Sequence, residues 1–351
     1  MADRKTFIIL TPGFPVNEAD TSCLPSIQVF VKNLQKERPL LNIVIISFQY
    51  PFIAKKYKWH NIQVIGLGGS NKGKINRLWV WMQVWQTLKT LNRQNHVIGI
   101  LSLWLGECAL IGKKFGRRYG VKHYTWLLGQ DAKKNNRYKY LMNTLPEELI
   151  AISDAVAKTF YESYGIQIPS VIPIGMDGSL FRTMQSERTI DIMGAGSLIP
   201  LKKYDLFIDV VRAVKSKLGS INVVLCGEGP ERDHLYELID QYGLQNDINV
   251  AGEVSHGSAL LLMQQTKVFL HTSSYEGFST VCSEALRAGA YVISFCKPMR
   301  KDFNHWTIVS STEEMAEHAI QILKDESLDH SPVCTYSIHD TVREVLNLFE
   351  V

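Results

Sequence analysis

Short apolar runs recur along the chain, each followed by a turn and often by a stretch with helical spacing. The runs at 6–10, 42–47, 61–66, 96–102, 121–128 and 149–153 read as buried strands, and 24–37, 106–118 and 154–164 as helices between them. The pattern restarts at 190–195 and continues through 221–226, 268–270 and 290–295. Helices are expected at 279–288, stopped by Gly289, and at 312–324 and 339–349. Strand, loop, helix, strand is the repeating unit of a parallel α/β sheet. Two such series in 351 residues predict two domains, divided near 173–185, where Gly, Pro and Ser cluster.

The most informative stretch is 268–295. Its loop places Glu276 just before a helix and Glu284 inside it. The first turn of a helix offers unpaired N–H groups and the positive end of the dipole, a natural seat for a phosphate. A carboxylate on each side of that seat can hold sugar hydroxyls. Spacing alone also fits a loop charge and a solvated helix residue.

The stretch Ser273-Ser274-Tyr275-Glu276-Gly277-Phe278, followed by Glu284-Ala285, resembles the signature of the family 4 glycosyltransferases (group 1). These are retaining enzymes of the GT-B fold that use nucleotide sugars. The resemblance implies that Glu276 sits at the donor sugar and Glu284 at the ribose. Gly277, Phe278, Ser279, Thr280 and Val281 would border the diphosphate. A Gly is usual where Ser279 stands.

Other segments fall in the order the family predicts. Gly13, after the first strand, stands for the family's Gly-bearing loop, and polar residues 17–22 would leave room for an acceptor. Gly129 and Asp131 match a His-Gly-x-Asp corner whose His position is Leu128; Gln130 is a candidate substitute. Asp131 also fits as a helix cap. Segment 173–177 is similar to the interdomain Pro-Asn-Gly-Val-Asp. Lys202 matches a diphosphate-binding Lys, but Ser197 stands where the family has Arg, with Lys203 as one replacement. Gly227 lies in a Gly-x-Gly-Pro turn, and Val254 in the segment whose backbone meets the base. Residues 296–305 match nothing in the family pattern.

Charge divides unevenly. Residues 1–180 carry 23 Lys and Arg against 11 Asp and Glu, and 181–351 carry 15 against 23. A basic first half suits an anionic partner such as a phospholipid surface, a lipid-phosphate acceptor or nucleic acid. It equally suits attraction between the halves. The apolar side chains of 75–91 cover an arc of roughly 220° on a helix, wider than an ordinary stripe. Trp79, Trp81 and Trp85 beside Lys72, Lys74 and Arg77 fit a helix at a lipid headgroup layer, or one packed on the sheet. The six Cys show no Cys-x-x-Cys spacing and read as reduced thiols. No apolar run reaches the length of a membrane span, and the first ten residues are too brief for a signal peptide.

The expected fold is α/β GT-B: two Rossmann-like domains with parallel sheets facing across a cleft. Residues 1–172 would bind the acceptor and 173–330 the nucleotide sugar, with a last helix in 331–351 crossing back to the first domain. The expected function is retaining transfer of a sugar from a nucleotide sugar to a hydroxyl of a saccharide or lipid-linked acceptor, in surface polysaccharide or glycolipid assembly. Glu276, Lys202 and Asp131 are the catalytic candidates. No cofactor is expected, and without any Asp-x-Asp, no metal. The expected location is cytoplasmic, with an anionic membrane surface as a candidate contact and nucleic acid excluded for want of a recognition motif. Because Leu128 and Ser197 remove two donor contacts, a degenerate scaffold protein is the rival; a GT-B phosphorylase lacks any specific signal.

Overall fold

A computed structural model describes residues 5–181 and 187–350, and within these leaves the Lys74 side chain undescribed. The expected domain junction at 173–185 lies in part outside the described residues. The chain forms two compact units, one of residues up to 175 with 338 onward, the other of 176–337.

The first unit is built on β1 (Lys5–Gly13), α1 (Pro25–Glu37), β2 (Asn42–Tyr50), β3 (Lys55–Trp59), β4 (Ile62–Gly66), α2 (Lys74–Gln94), β5 (His96–Leu103), α3 (Glu107–Tyr119), β6 (His123–Leu127), α4 (Arg137–Met142), β7 (Leu149–Ala151), α5 (Asp154–Tyr164) and β8 (Ser170–Val171). The strand order is β3-β4-β2-β1-β5-β6-β7-β8, parallel except for β3. Central strands are buried on both faces, as a parallel sheet covered by helices requires. Two strands run further than their apolar cores suggest. Thr11 pairs with Ser47, and Gly13 with Tyr50 across a register shift, so 11–13 is strand and not turn. The edge strand β3 reads Lys-Lys-Tyr-Lys-Trp, a polar alternation that hides it from a search for apolar runs.

The second unit contains β9 (Ile190–Ala195), α6 (Tyr204–Leu218), β10 (Val223–Cys226), α7 (Arg232–Gln241), β11 (Ile248–Gly252), α8 (His256–Gln264), β12 (Thr266–His271), α9 (Thr280–Arg287), β13 (Tyr291–Ser294), β14 (Trp306–Ile308) and α10 (Thr312–Lys324). Its order, β11-β10-β9-β12-β13-β14, is fully parallel. Numbered within the unit this is 3-2-1-4-5-6, the Rossmann arrangement. One core packs α6, α7 and α10 on one face of the sheet; another packs α8 and α9 on the opposite face. Ser311 caps α10 by accepting from the Glu314 N–H at 3.2 Å.

The last helix, α11 (Ile338–Leu348), belongs to the first unit. Thr341 donates to the Pro173 carbonyl at 2.7 Å. Phe349, just beyond α11, meets Phe7 and Tyr124 edge-on at 4.8 and 5.0 Å. Gly99 leaves room for that ring: a Cβ there would lie 2.2 Å from it.

Candidate functional site

In a 3-2-1-4-5-6 sheet, the loops leaving the two middle strands turn to opposite faces and open a crevice at their carboxyl ends. In the second unit those strands are β9 and β12. The loop after β9 carries Lys202, and the loop after β12 carries Glu276. Their side chains meet: Lys202 Nζ donates to Glu276 Oε1 at 2.5 Å. Both are mostly buried, 19% and 15% exposed, so the pair is weakly screened. The two loops are also tied by backbone. Thr272 donates to the Lys202 carbonyl at 2.9 Å, and the Ser274 N–H to the Leu201 carbonyl at 3.1 Å.

His271 closes the arrangement from below. Its Nε2 lies 3.1 Å from the same Glu276 oxygen, at an angle too poor for a hydrogen bond. Burial, the leading cause, pulls its pKa down to about 4; Lys202 adds to the drop and Glu276 opposes it. The ring is therefore neutral at pH 7. Its folded pKa lies below the unfolded value of 6.5, so the unfolded chain binds the proton more readily. The stability that neutral His271 contributes is complete above the unfolded pKa and is lost as pH falls from 6.5 through 4. The loss should approach about 3 kcal/mol. Thermal melts of wild type and His271→Gln across that window should show a shallower acid slope in the variant. Equal slopes would reject the assignment.

Beyond Glu276, Phe278 is buried and meets Tyr336 edge-on at 5.8 Å. Its ring anchors the loop, and only its backbone remains for a ligand. Ser279 follows at φ 57, ψ 52, left-handed, with no side-chain cap on α9. The N–H groups of Thr280 and Val281 fall in the first turn, which has no intrahelical acceptor for them. Ser279 occupies the position where the family signature has Gly, and its backbone keeps the glycine conformation. Replacing Ser279 by Gly should relieve that strain and remove a buried hydroxyl without a partner. We expect a gain of about 1 kcal/mol, read as a raised urea midpoint. Among the described residues, 13 buried side-chain polar atoms lack a hydrogen bond. Four of them, in His271, Ser273, Ser279 and Ser283, cluster around this loop and helix start. Such atoms normally find a partner.

Glu284, one turn further along α9, bonds His256 Nε2 at 2.7 Å from its Oε1. His256 opens α8, two residues after Val254. Sequence reading missed it; its place directly after the Val254-Ser255 segment was the available signal. Val254 itself is half-buried against the α8–α9 core.

The loops after β9, β10 and β11 lock together through glycines. The Gly227 N–H donates to the Gly252 carbonyl at 2.8 Å, Gly196 to Cys226 at 2.9 Å and Leu198 to Glu228 at 2.9 Å. Gly227 has φ +152, and a Cβ there would lie 1.9 Å from the Gly196 carbonyl oxygen. Ser197 is exposed beside this stack, and Lys203 is exposed at the start of α6 with φ 52.

In the first unit the corresponding crevice lies between β1 and β5. Gly13 ends β1 in ordinary backbone geometry, and a Cβ there would meet only Tyr50 at 3.5 Å. The 14–24 loop is knotted more tightly than its polarity suggests. Asp20 Oδ2 accepts from Val16 N–H at 3.1 Å and from Tyr50 Oη at 2.9 Å, while Oδ1 accepts from Cys23 N–H at 3.2 Å. Asp131 holds the other side. Its Oδ2 accepts from Leu105 N–H at 2.8 Å, and its Oδ1 from Gly129 and Leu128 N–H at 2.8 and 3.2 Å. Burial raises its pKa, and those backbone donors oppose the rise. Its carboxylate is committed to backbone, which makes it a brace for the Leu128–Gly129 turn.

Two Rossmann-like units, each with a crevice at its strand reversal, make this the α/β fold of the GT-B glycosyltransferases. Residues 182–333 match the profile of the family Glycosyl transferases group 1, and the unit they make up belongs to that family. Similar proteins include the gpi3 subunit of the phosphatidylinositol N-acetylglucosaminyltransferase of Schizosaccharomyces pombe. It is 28% identical over 189 residues, covering 52% of this chain and 41% of that one. The 2-deoxystreptamine N-acetyl-D-glucosaminyltransferase of Niallia circulans is 27% identical over 146 residues, 40% of this chain and 38% of that one. The chain therefore spans less than half the length of these curated relatives. Among solved structures, Anabaena Alr3699/HepE in complex with UDP-glucose superposes with TM-score 0.71 at 16% identity, covering 99% of both chains.

Proposed function

We propose that the protein is a retaining, metal-independent glycosyltransferase that moves a sugar from a nucleotide sugar to a hydroxyl of a saccharide or lipid-linked acceptor, in glycolipid or surface polysaccharide assembly. The observation that carries this reading is the meeting of Lys202 with Glu276 at the β9/β12 crevice, next to the uncapped start of α9. A cation and a helix N-terminus at one crevice suit a diphosphate. The names of the relatives favour N-acetylglucosamine as the sugar, and the neighbour's bound UDP-glucose favours uridine as the base.

In this reading Glu284, oriented by His256, holds the ribose, and Val254 and Gly227 border the base. Lys202 leaves Glu276 for the diphosphate, and with the N–H groups of Thr280 and Val281 it stabilises the charge that grows as the sugar departs. The freed Glu276 carboxylate then takes sugar hydroxyls. Asp131 positions the backbone of the Leu128–Gly129 turn rather than the reacting atoms. A peripheral place on the cytoplasmic face of a membrane completes the proposal.

Calorimetric titration with UDP, GDP, ADP and CMP tests it. UDP should bind with micromolar affinity, and Glu284→Ala should weaken it about tenfold to a hundredfold. Failure of every nucleotide to bind folded protein would leave the scaffold reading, with Leu128 and Ser197 as its marks.

A further inference from the structure

Helix α2 carries two apolar stripes and uses only one of them. Val80, Val84, Leu88 and Leu91 are buried in the core of the first unit. Trp81 and Trp85 lean on the same core. Trp81 Nε1 donates to Glu107 Oε2 at 2.8 Å, and Trp85 meets the Phe115 ring edge-on at 5.3 Å. Trp79 turns the other way. With Ile75, Leu78 and Met82 it forms a second stripe at i, i+3, i+4, i+7 spacing. These four are 86%, 56%, 49% and 60% exposed in the order 75, 78, 79 and 82.

The apolar surface continues off the helix. Phe52 and Ile53, in the β2–β3 loop, are 62% and 78% exposed. The Ser70 hydroxyl, just ahead of α2, bonds the Phe52 carbonyl at 3.0 Å. A groove of about 600 Å³ runs between, with Ala54 and Lys56 on one wall and Trp79 and Met82 on the other. An exposed apolar surface of this kind calls for a partner.

Charge identifies the partner. Residues 38–106 hold six Lys and three Arg and not one Asp or Glu. Lys56 lines that groove, and Lys56, Lys58 and Lys72 are all exposed. An aromatic-bearing apolar stripe beside exposed cations, in a stretch of sequence without acids, complements a layer with anionic headgroups over hydrocarbon. No helix among the described residues is long and apolar enough to cross a membrane, so the contact would lie at the surface.

We propose that the second stripe of α2, with Phe52 and Ile53, seats the first unit on an anionic phospholipid bilayer. This rests on the membrane place proposed above and names the surface that makes the contact, which includes none of the residues of the transfer site. Flotation with phosphatidylcholine vesicles, with and without phosphatidylglycerol, tests it. The protein should float only with the anionic vesicles, and less as salt rises. Leu78→Ser with Trp79→Ser should cut partitioning by about tenfold or more, as should Lys56→Glu with Lys72→Glu. Tyr161→Ser, which removes an exposed aromatic on α5, should leave it unchanged. Melting curves and UDP titrations of the same variants should match wild type, which separates this test from that of the transferase reading. Equal binding to neutral vesicles, loss with the lysine changes alone, or equal loss in Tyr161→Ser would overturn the proposal. So would a wild type that ignores vesicles but self-associates through Leu78, since a second copy would then cover this face.

Discussion

Lys202→Ala is expected to lower kcat/KM about a hundredfold to a thousandfold, with most of the loss in kcat. On the proposed reading, Ser197 is uncharged where the family resemblance has a second cation, so Lys202 would carry the diphosphate's charge with less help than usual. The change should also destabilise the second unit, because Glu276 is only 15% exposed and would lose its main partner. Combining Lys202→Ala with Glu276→Gln separates the two effects. Stability should return in the double variant and activity should not. Lys203→Ala should leave activity near wild type, since that side chain is exposed at the start of α6. If Lys202→Ala keeps full turnover, the crevice is not where the leaving group is stabilised.

Gly227→Ala should be the most damaging single methyl in the second unit. The backbone there has φ +152, and the new Cβ would lie 1.9 Å from a main-chain oxygen of Gly196, which cannot rotate away. Strain and clash together should cost about 3 kcal/mol or more. The readout is the urea midpoint, followed by UDP affinity in whatever fraction remains folded. Gly13→Ala makes the contrast. Its Cβ meets Tyr50 at an ordinary 3.5 Å with no positive φ, so stability should change little. Equal effects at the two positions would show that the stacked loops yield more readily than their hydrogen bonds imply.

Much of the fold was legible because parallel strands announce themselves as uninterrupted apolar runs. Asp154–Tyr164, Ile190–Ala195 and Thr312–Lys324 end where capping residues and periodicity place them. Strand β3 was not legible, because an edge strand exposes alternate side chains and these are lysines. The extension of β1 to Gly13 was hidden for another reason: the pairing with Tyr50 belongs to β2, and no local signal near Gly13 reports it. The three tryptophans of α2 show the same limit. Their spacing allowed lipid or core; Trp81 and Trp85 lean on the core and Trp79 is exposed, and no local pattern separates them, since Trp81 bonds Glu107 and Trp85 meets Phe115, both distant in sequence. The order of motifs singled out Glu276 and Lys202, and the structure brings their side chains together. The His256 contact was not legible, because a bond between side chains of two different helices leaves no pattern in one dimension.

The helix that completes the first unit is made after the whole of the second. Residues 338–349 supply its Phe349 plug and the Thr341 bonds to Pro173 and Gly175, yet they follow all of 176–337 in the chain. During synthesis, domains ordinarily mature from the amino end. Here the order is inverted. The second unit emerges whole from the ribosome while the first still presents an unfilled hydrophobic seat around Phe7, Gly99 and Tyr124. The nascent first half therefore lacks its last helix during the translation of more than 160 residues. A stop codon that spares every residue of the β9/β12 crevice would still strand the other half of the protein in that condition.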